Sequence, residues 1–587
     1  MPRTRSLPLH LALPLVAACS ASARPITTPH TAPAAALPTA PTERAFLTGR
    51  LTYDSGAPLA DATVVLEELT HEEIIARATT DRDGRYRIDA PLGVYAMTVA
   101  GADSFSWTER FDPSTPLTPV TQTCHAIAGH ADGASGQARV IFKRHDRHDY
   151  LFVRPVSADG SFAACLPSGL YEVSLDGDTQ SPKRFLALTA PAKLHLRGFS
   201  TADVQRPPPA MPPPRANLQN LVDDVLAQHP ALIGLGEGTY GTREFYTTRG
   251  ELTLALIRQA GVRLLLFEFD ALASDDLDRY INGDNIDLAK ALPALRFWIT
   301  DVYEFRDVLG QLRAYNATAT DKVHLRGIDL QDTTLPVDAL LSRAASLQLT
   351  PEHQALLKRL SRRGAGIREL STTERATVDA LLARLSTPTG HTPDDDRVAL
   401  AARSLALQLE YWNGDLFAWY TQHHEAGMAE LARLLLAQAN GPRAVLWAHD
   451  VHVAKGDDLR LGGHLAHVDG GYYAVGSYAY QGEARAWDPD EKIGVVPHRF
   501  GPAADTDLEG AITRATNARD VAWLPLHSAP APLRQWLTVP RWTNSFGQAF
   551  LDIRELRDIV TSFDALIIVH TSHPTTPTPT GVRVAKQ

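Results

Sequence analysis

The chain has 587 residues, 21% of them charged, and a formal net charge of -10. That length exceeds a single core and points to several domains of roughly 100 to 200 residues each. The mildly acidic balance, without a long basic run, excludes a broad electrostatic footprint for nucleic acid, so none is expected as a partner.

The opening residues, MPRTRSLPLHLALPLVAACS, set Arg3 and Arg5 ahead of an apolar stretch too short to span a bilayer and close on small residues. This is the pattern of an export signal, over residues 1–18. Val16-Ala17-Ala18-Cys19 resembles a bacterial lipobox. The resemblance implies cleavage before Cys19 and acylation of its thiol, and Ser20 in place of Asp favours the outer membrane, facing the periplasm. The alternative is an ordinary signal peptide with a chance cysteine. Residues 19–42, rich in Ala, Pro, Ser and Thr, bury too little apolar surface to fold and read as a tether. With Cys19 acylated, Cys124 and Cys165 remain as an even pair in an oxidising compartment, so a disulfide between them is expected, a buried thiol pair being the alternative.

Next comes an all-β signature that repeats. Asp83-Gly84-Arg85-Tyr86, followed by Pro91, Gly93 and Tyr95, is matched at identical spacings by Asp159-Gly160-Ser161-Phe162, followed by Pro167, Gly169 and Tyr171. Each copy predicts a hairpin turn at Asp-Gly, an alternating strand, a Pro-x-Gly break and a further strand. Two small β-sandwich modules follow, at 43–121 and 122–205. The cluster from Arg144 to Asp149 reads as a charged turn in preference to a metal site. RPPPAMPPPR, at 206–215, is an extended spacer.

Beyond the spacer, ALIGLG, VRLLLFEF, VHLRGID, RAVLWAH, YYAVGSYAY, DVAWLPL and DALIIVH are apolar runs separated by amphipathic helices. They predict an α/β domain over 216–575 with a mostly parallel, buried sheet. Residues from about 336 to 435 are nearly all helical in pattern, too long for one crossover, and read as a helical insertion; 576–587 is a tail.

GLGEGTYGTREF, Gly234 to Phe245, contains the dinucleotide fingerprint G-x-G-x-x-G. Against a nucleotide, Glu237 lies inside the loop, where its carboxylate opposes phosphate. The carboxyl ends of the predicted strands instead gather Glu237, Glu268, Asp270, Asp329, His449, Asp450 and His452, with Arg243 and Arg249 nearby. Singly, each acid reads as a helix cap and each arginine as its partner. Together, at the strand ends where open α/β sheets bind ligands, they read as a site.

These residues carry a resemblance. GLGEGTYGTREFYTTRGEL, LLLFEFD, GIDLQD, VLWAHDVHVAKG, LGGHL and DALIIVH follow in the order of the erythromycin esterase family, and LTGRLTYDSGAPLADATVVLE with TTDRDGRYRI resembles the carboxypeptidase regulatory-like β-sandwich. The first resemblance implies an α/β fold with a helical insertion that hydrolyses a lactone by activating water. Carried over by motif, it implies Glu237, Arg249, Glu268, His449 and His452 as site residues; Arg243, Asp329, Asp450 and His464 (of LGGHL) are candidates for the substrate side. The family loop reads Gly-Glu-x-x-His-Gly with the histidine as base; here that position is Tyr240, and Asp450 stands where Asn is common. A tyrosine of reference pKa near 10 cannot do a histidine's work at neutral pH.

The expectation is therefore an exported hydrolase of a small-molecule ester or lactone. Glu237 with His449 or His452 activates water, Arg249 faces the oxyanion, Glu268 orients Arg249, and Tyr240 donates a hydrogen bond. No cofactor is expected. A metal on Glu237, His449 and His452 is conceivable, but the spacing does not define one. The rival is a binding protein of the cell envelope, a degenerate esterase domain that lost its base. From the N-terminal pattern, Cys19→Ala is expected to move the protein from the outer-membrane fraction into soluble periplasm, read by fractionation, because two acyl signals are what hold such a chain on a membrane.

Overall fold

The computed structural model describes residues 44–579 apart from short internal stretches, the longest being 69–73, 112–123, 145–150, 362–369, 388–392 and 412–423. The lipobox and most of the charged turn after Arg144 lie outside the described residues. Contacts divide the chain into a unit ending at Ser200 and a second beginning at Thr201. Among the described residues no helix is long and apolar enough to cross a membrane.

The first unit is strand-rich, with two sandwich-like pairs of sheets. In the first, Arg44–Arg50 pairs with Arg85–Pro91 and packs against a four-stranded sheet in the order Ile74–Thr79, Thr63–Glu68, Tyr95–Ala100, Phe105–Phe111. Leu47 and Ile88 from one sheet meet Val64, Leu66, Met97 and Val99 from the other. In the second, three strands around Cys124–Asp132 face four around Gly169–Asp176, with Ile127, Leu166 and Leu196 packed on Phe142 and Val173. Cys124 and Cys165 form a disulfide with a Cα–Cα separation of 5.1 Å.

The repeated Asp-Gly is a tight turn in both copies: Gly84 and Gly160 take φ of +77° and +83°. Their amides bond three residues back, to Asp81 O and Ser157 O, both at 2.9 Å. It is not a hairpin, however. Ile74–Thr79 pairs only with Thr63–Glu68, while Arg85–Pro91 pairs with Arg44–Arg50. Leu151–Pro155 and Ser161–Pro167 part in the same way. In each copy the turn carries the chain from one sheet to the facing one, a choice between two partners that local turn chemistry does not encode.

The second unit is built on one mixed, mostly parallel sheet. Its strands are β1 (Leu232–Leu235), β2 (Val262–Asp270), β3 (His324–Asp329), β4 (Arg443–Trp447), β5 (Tyr472–Trp487), β6 (Val495–Phe500), β7 (Val521–Pro525) and β8 (Ala565–Ser572). The order is β3-β2-β4-β1-β5-β8-β7, parallel except for β7 on β8 and for β6, which adds antiparallel to β5. Successive side chains leave opposite faces. Leu265, Phe267 and Val445 pack on one layer with Leu252, Leu256, Phe305 and Leu309. Leu264, Leu266 and Leu446 pack on the other with Leu357, Leu382, Leu405 and Met428. That second layer is the helical insertion between β3 and β4, which among the described residues has five helices, from Thr334–Leu341 to Glu425–Gln438. Two of them start at capping boxes, Thr350 with His353 and Ser371 with Glu374.

Both edges of the predicted α/β domain shift. At its end, residues 576–578 of the predicted tail pack on the domain, continuing from Thr575, whose N–H bonds Gly241 O at 2.9 Å: Tyr303 N–H bonds Thr576 O at 2.9 Å, and Thr578 N–H bonds Asp301 O at 3.1 Å. At its start, the segment before the proline run belongs to this unit. The guanidinium of Arg541, only 1% exposed, reaches the carbonyls of Val204 (2.8 Å), Asp203 (3.0 Å) and Trp536 (2.7 Å), while Trp536 Nε1 bonds Arg206 O at 2.8 Å. Burial lowers the Arg541 pKa to about 10, so those carbonyls are what keep the charge tolerable. A fragment starting at residue 216 removes three of these acceptors and is expected to be less stable than one starting at 201 by on the order of 3 kcal/mol, measured by denaturant unfolding of the two fragments.

Candidate active site

Register brings the site together. Leu235 of β1 and Phe267 of β2 both pair with Trp447 of the strand between them, so Glu237, Glu268 and His449 each emerge one or two residues past the same rung. The glycine loop after β1 is shaped by packing. The amides of Gly236 and Gly238 bond Val475 O and Ser477 O, both at 2.8 Å, and so do not face a ligand phosphate. A Cβ on Gly241, at φ +63°, would sit 2.3 Å from Arg485 O. The glycines of the fingerprint thus serve close packing, and two of the amides a nucleotide phosphate would need are already bonded to β5.

Glu237, 3% exposed, pairs with Arg249, 1% exposed, at 2.8 Å. The guanidinium also lies 4.5 Å from the Trp447 ring centroid and bonds Phe245 O through Nε at 3.1 Å. Burial pushes the Glu237 carboxyl up to about 7, with Arg249 pulling the other way. Glu268 does not orient Arg249, as expected from sequence; among the described residues no contact joins them. Its carboxylate accepts from Tyr240 Oη at 2.8 Å and from the His449 amide at 2.8 Å, and lies 3.4 Å from His452 Nε2. Burial opposes its ionisation, but the His452 charge and these bonds outweigh it and hold the carboxyl below its usual range.

His452 stands between two carboxylates. Its Nδ1 lies 2.9 Å from Glu425 Oε2, and Glu425 in turn accepts from Arg460 at 2.9 Å and from the Leu461 amide at 2.8 Å. Burial works against an imidazolium, yet Glu425 and Glu268 raise His452 well above the ordinary histidine value. It is a cation at neutral pH and cannot be the base. Tyr240 is held neutral: burial and Glu268 push its hydroxyl well above 10. Its ring centroid lies 4.8 Å from His449 and 5.8 Å from Phe297. His449 is lowered by burial, against the pull of Asp450.

A small cavity of about 30 Å³, space for one or two waters, is lined by Glu237, Arg249, Glu268, Thr300, Phe305 and Trp447 among others. Carboxyl, guanidinium and space for a water therefore adjoin one another. Of the other sequence candidates, Arg243 lies outside the cluster, while Asp450, Asp329 and His464 border it. Arg243 is half-exposed and pairs with Glu304 at 3.3 Å, away from the cluster. Asp329 is buried and accepts from the Leu330 amide and His424 Nε2, both at 2.7 Å. His464 lies on the short helix Leu461–Leu465, its pKa lowered by burial against the pull of Glu425. Asp450 is fully buried beside His449. Glu237, His449 and His452 do not converge as a ligand set: among the described residues no group of three or more acids, histidines or cysteines is placed to hold a metal.

Glu425 and Arg460 escaped sequence reading. Glu425 begins the last helix of the insertion, and the run His423-His424-Glu425 is the sequence signal that points to it.

The profile of the erythromycin esterase family matches residues 257–572, and that of the carboxypeptidase regulatory-like domain matches 47–116. A Bacillus cereus protein and a succinoglycan biosynthesis protein, both solved structures, each align at 18% identity over 64% of this chain and 97% of their own, with TM-score 0.53. A histidine-to-asparagine mutant of the erythromycin esterase EreC, in its open conformation, aligns at 17% identity over the same shares, with TM-score 0.47. The first two likenesses show a shared fold. No curated protein matches the chain.

The His452 charge state has a consequence for stability. Its raised pKa contributes stability that is complete below 6.5 and lost as pH climbs above that value, while the depressed Glu425 contributes above 4.5 and loses it below. Glu425→Gln is therefore expected to lower the melting temperature most between pH 4.5 and 6.5 and less at pH 9, measured by thermal scans of both proteins across that range.

Proposed function

The chain belongs to the erythromycin esterase family, and on that premise we propose that it is an exported hydrolase that opens a carboxylic ester or lactone with an activated water, Glu237 acting as base. The observation that carries this reading is Glu237 itself. It is a buried carboxyl with a pKa of about 7 beside a cavity of water size, while Glu268, His452 and Tyr240 are each committed to one protonation state. In this scheme ionised Glu237 takes a proton from water, and the hydroxide oxygen bonds the carbonyl carbon. Arg249, which lines the same cavity as Glu237, stabilises the oxyanion in this scheme. Collapse breaks the ester C–O bond, and the Glu237 carboxylic acid returns its proton to the leaving alkoxide. Tyr240, locked to Glu268, positions and does not titrate. The lipobox supports an outer-membrane anchor for the whole chain, and the β-modules a spacer role.

The test is a panel of activated esters and lactones. Because Glu237 works ionised, kcat is expected to rise with pH through about 7 and to fall below it. Glu237→Gln is expected to lower kcat by on the order of a hundred- to ten-thousand-fold. Tyr240→His is expected to change the rate or shift the optimum. A wild type inert on every substrate, with Tyr240→His inert as well, would leave the binding-protein reading in its place.

A further inference from the structure

Near the end of β5, beside the catalytic loop, lies a buried cation that no counter-charge answers. Arg485 is 9% exposed, and its backbone N–H bonds Gly241 O at 3.1 Å, which sets it against the residue that follows Tyr240. Other buried arginines of this unit are answered: Arg249 by Glu237, Arg541 by backbone carbonyls. Among the described residues no hydrogen bond or ion pair engages the Arg485 guanidinium, which lies 5.6 Å from the Trp298 ring centroid. Glu304, the carboxylate within its electrostatic reach, is engaged elsewhere: its two oxygens accept from the Thr576 amide, each at 3.0 Å, and it pairs with Arg243 at 3.3 Å. Burial therefore holds Arg485 below the ordinary arginine range in spite of Glu304 and Tyr246. A cation kept out of water without a partner is unfavourable, and a ligand anion relieves it.

A second donor stands beside it. Trp298 is 8% exposed, and its Nε1 is buried with no hydrogen-bond partner. A tight turn fixes this indole: Thr300 donates to Phe297 O from its amide at 3.0 Å and from Oγ1 at 2.7 Å, and Tyr246 Oη donates to Ile299 O at 2.5 Å. Trp298 packs with Tyr240 and Ile299, and Ile299 and Thr300 line the same cavity as Glu237 and Tyr246. The Tyr246 hydroxyl feels Glu237 and Arg249 from the cavity and Arg485 as well, so the unanswered cation adjoins the proposed chemistry.

We propose that Arg485 and Trp298 Nε1 form an anion subsite beside the catalytic cavity, which takes a carboxylate carried by the ester or lactone substrate. A planar carboxylate matches the guanidinium fork and leaves a lone pair for the indole N–H. A phosphate shares the chemistry of an anion on arginine, but its second charge is opposed by Glu304, so the singly charged group is favoured. This deepens the hydrolase reading and rests on it for its kinetic arm alone.

The binding arm is titration calorimetry of the full chain at neutral pH with hexanoate, hexanamide and hexyl phosphate. Wild type is expected to bind hexanoate about tenfold more tightly than hexanamide, the margin of a hydrogen-bonded charge, and more tightly than hexyl phosphate. Arg485→Met is expected to erase the preference for hexanoate over hexanamide, and Arg485→Lys to keep part of it. Should Arg485→Met fail to fold, Trp298→Phe, which keeps a ring and removes the donor, is expected to narrow the same preference. The kinetic arm compares the mononitrophenyl ester of adipic acid with nitrophenyl hexanoate, which differ only in whether the acyl chain ends in a carboxylate. Wild type is expected to favour the first by about tenfold in kcat/KM, chiefly through KM, and Arg485→Met to narrow that ratio. No preference for hexanoate over hexanamide, a preference that survives Arg485→Met, or tighter binding of hexyl phosphate overturns the proposal. A wild type inert on both esters that nevertheless prefers hexanoate, and loses the preference in Arg485→Met, defeats the hydrolase reading and leaves the anion subsite standing.

Discussion

The Glu268 carboxylate takes hydrogen bonds from the Tyr240 hydroxyl and the His449 amide while facing the His452 ring, and these partners arrive from different parts of the chain. Tyr240 comes from the loop after β1, His449 and His452 from the loop after β4, and Glu425, which grips His452 from the far side, from the helical insertion. A buried carboxylate without such partners would shed its charge instead of organising anything. The strand order matters for the same reason. With β4 lying between β2 and β1, one rung of the sheet delivers an acid, a histidine and a second acid side by side.

Buried groups of opposite sign set one another's protonation, and the outcome divides the labour. Two carboxylates raise His452 towards the cation, the donors to Glu268 hold its carboxyl below the usual range, and burial with Glu268 keeps the Tyr240 hydroxyl neutral. Glu237 has a single cation and heavy burial acting against each other, and it is left near neutrality. A site in which most groups cannot titrate and one can is suited to moving one proton at a time. The helical insertion is part of this balance. Its core packing against the sheet fixes where Glu425 ends up, so a layer that reads as cover also sets the charge of a histidine on another element.

Much of this was written locally. Apolar runs of strand length bounded by helices announced each parallel strand, and the acids and histidines at their ends marked the rim where a site forms, because strand ends in an open sheet expose side chains to a common crevice. The Asp-Gly repeat announced two copies of one β-unit, since positive φ at the glycine is a local demand. What the sequence could not determine was decided by long-range pairing. Asp-Gly turns became passages between sheets because the next strand found a better partner elsewhere. Glu268 met Tyr240 and His452, and not Arg249, because the side-chain direction at a strand end depends on register with its neighbours. Arg243, one helical turn and a half before Arg249, fell on the outer face and lost its place in the site. Protonation was the least legible property of all, since it depends on the distance between groups brought together by the fold, some of them 27 or 181 residues apart in the chain, and on how much water their packing leaves between them.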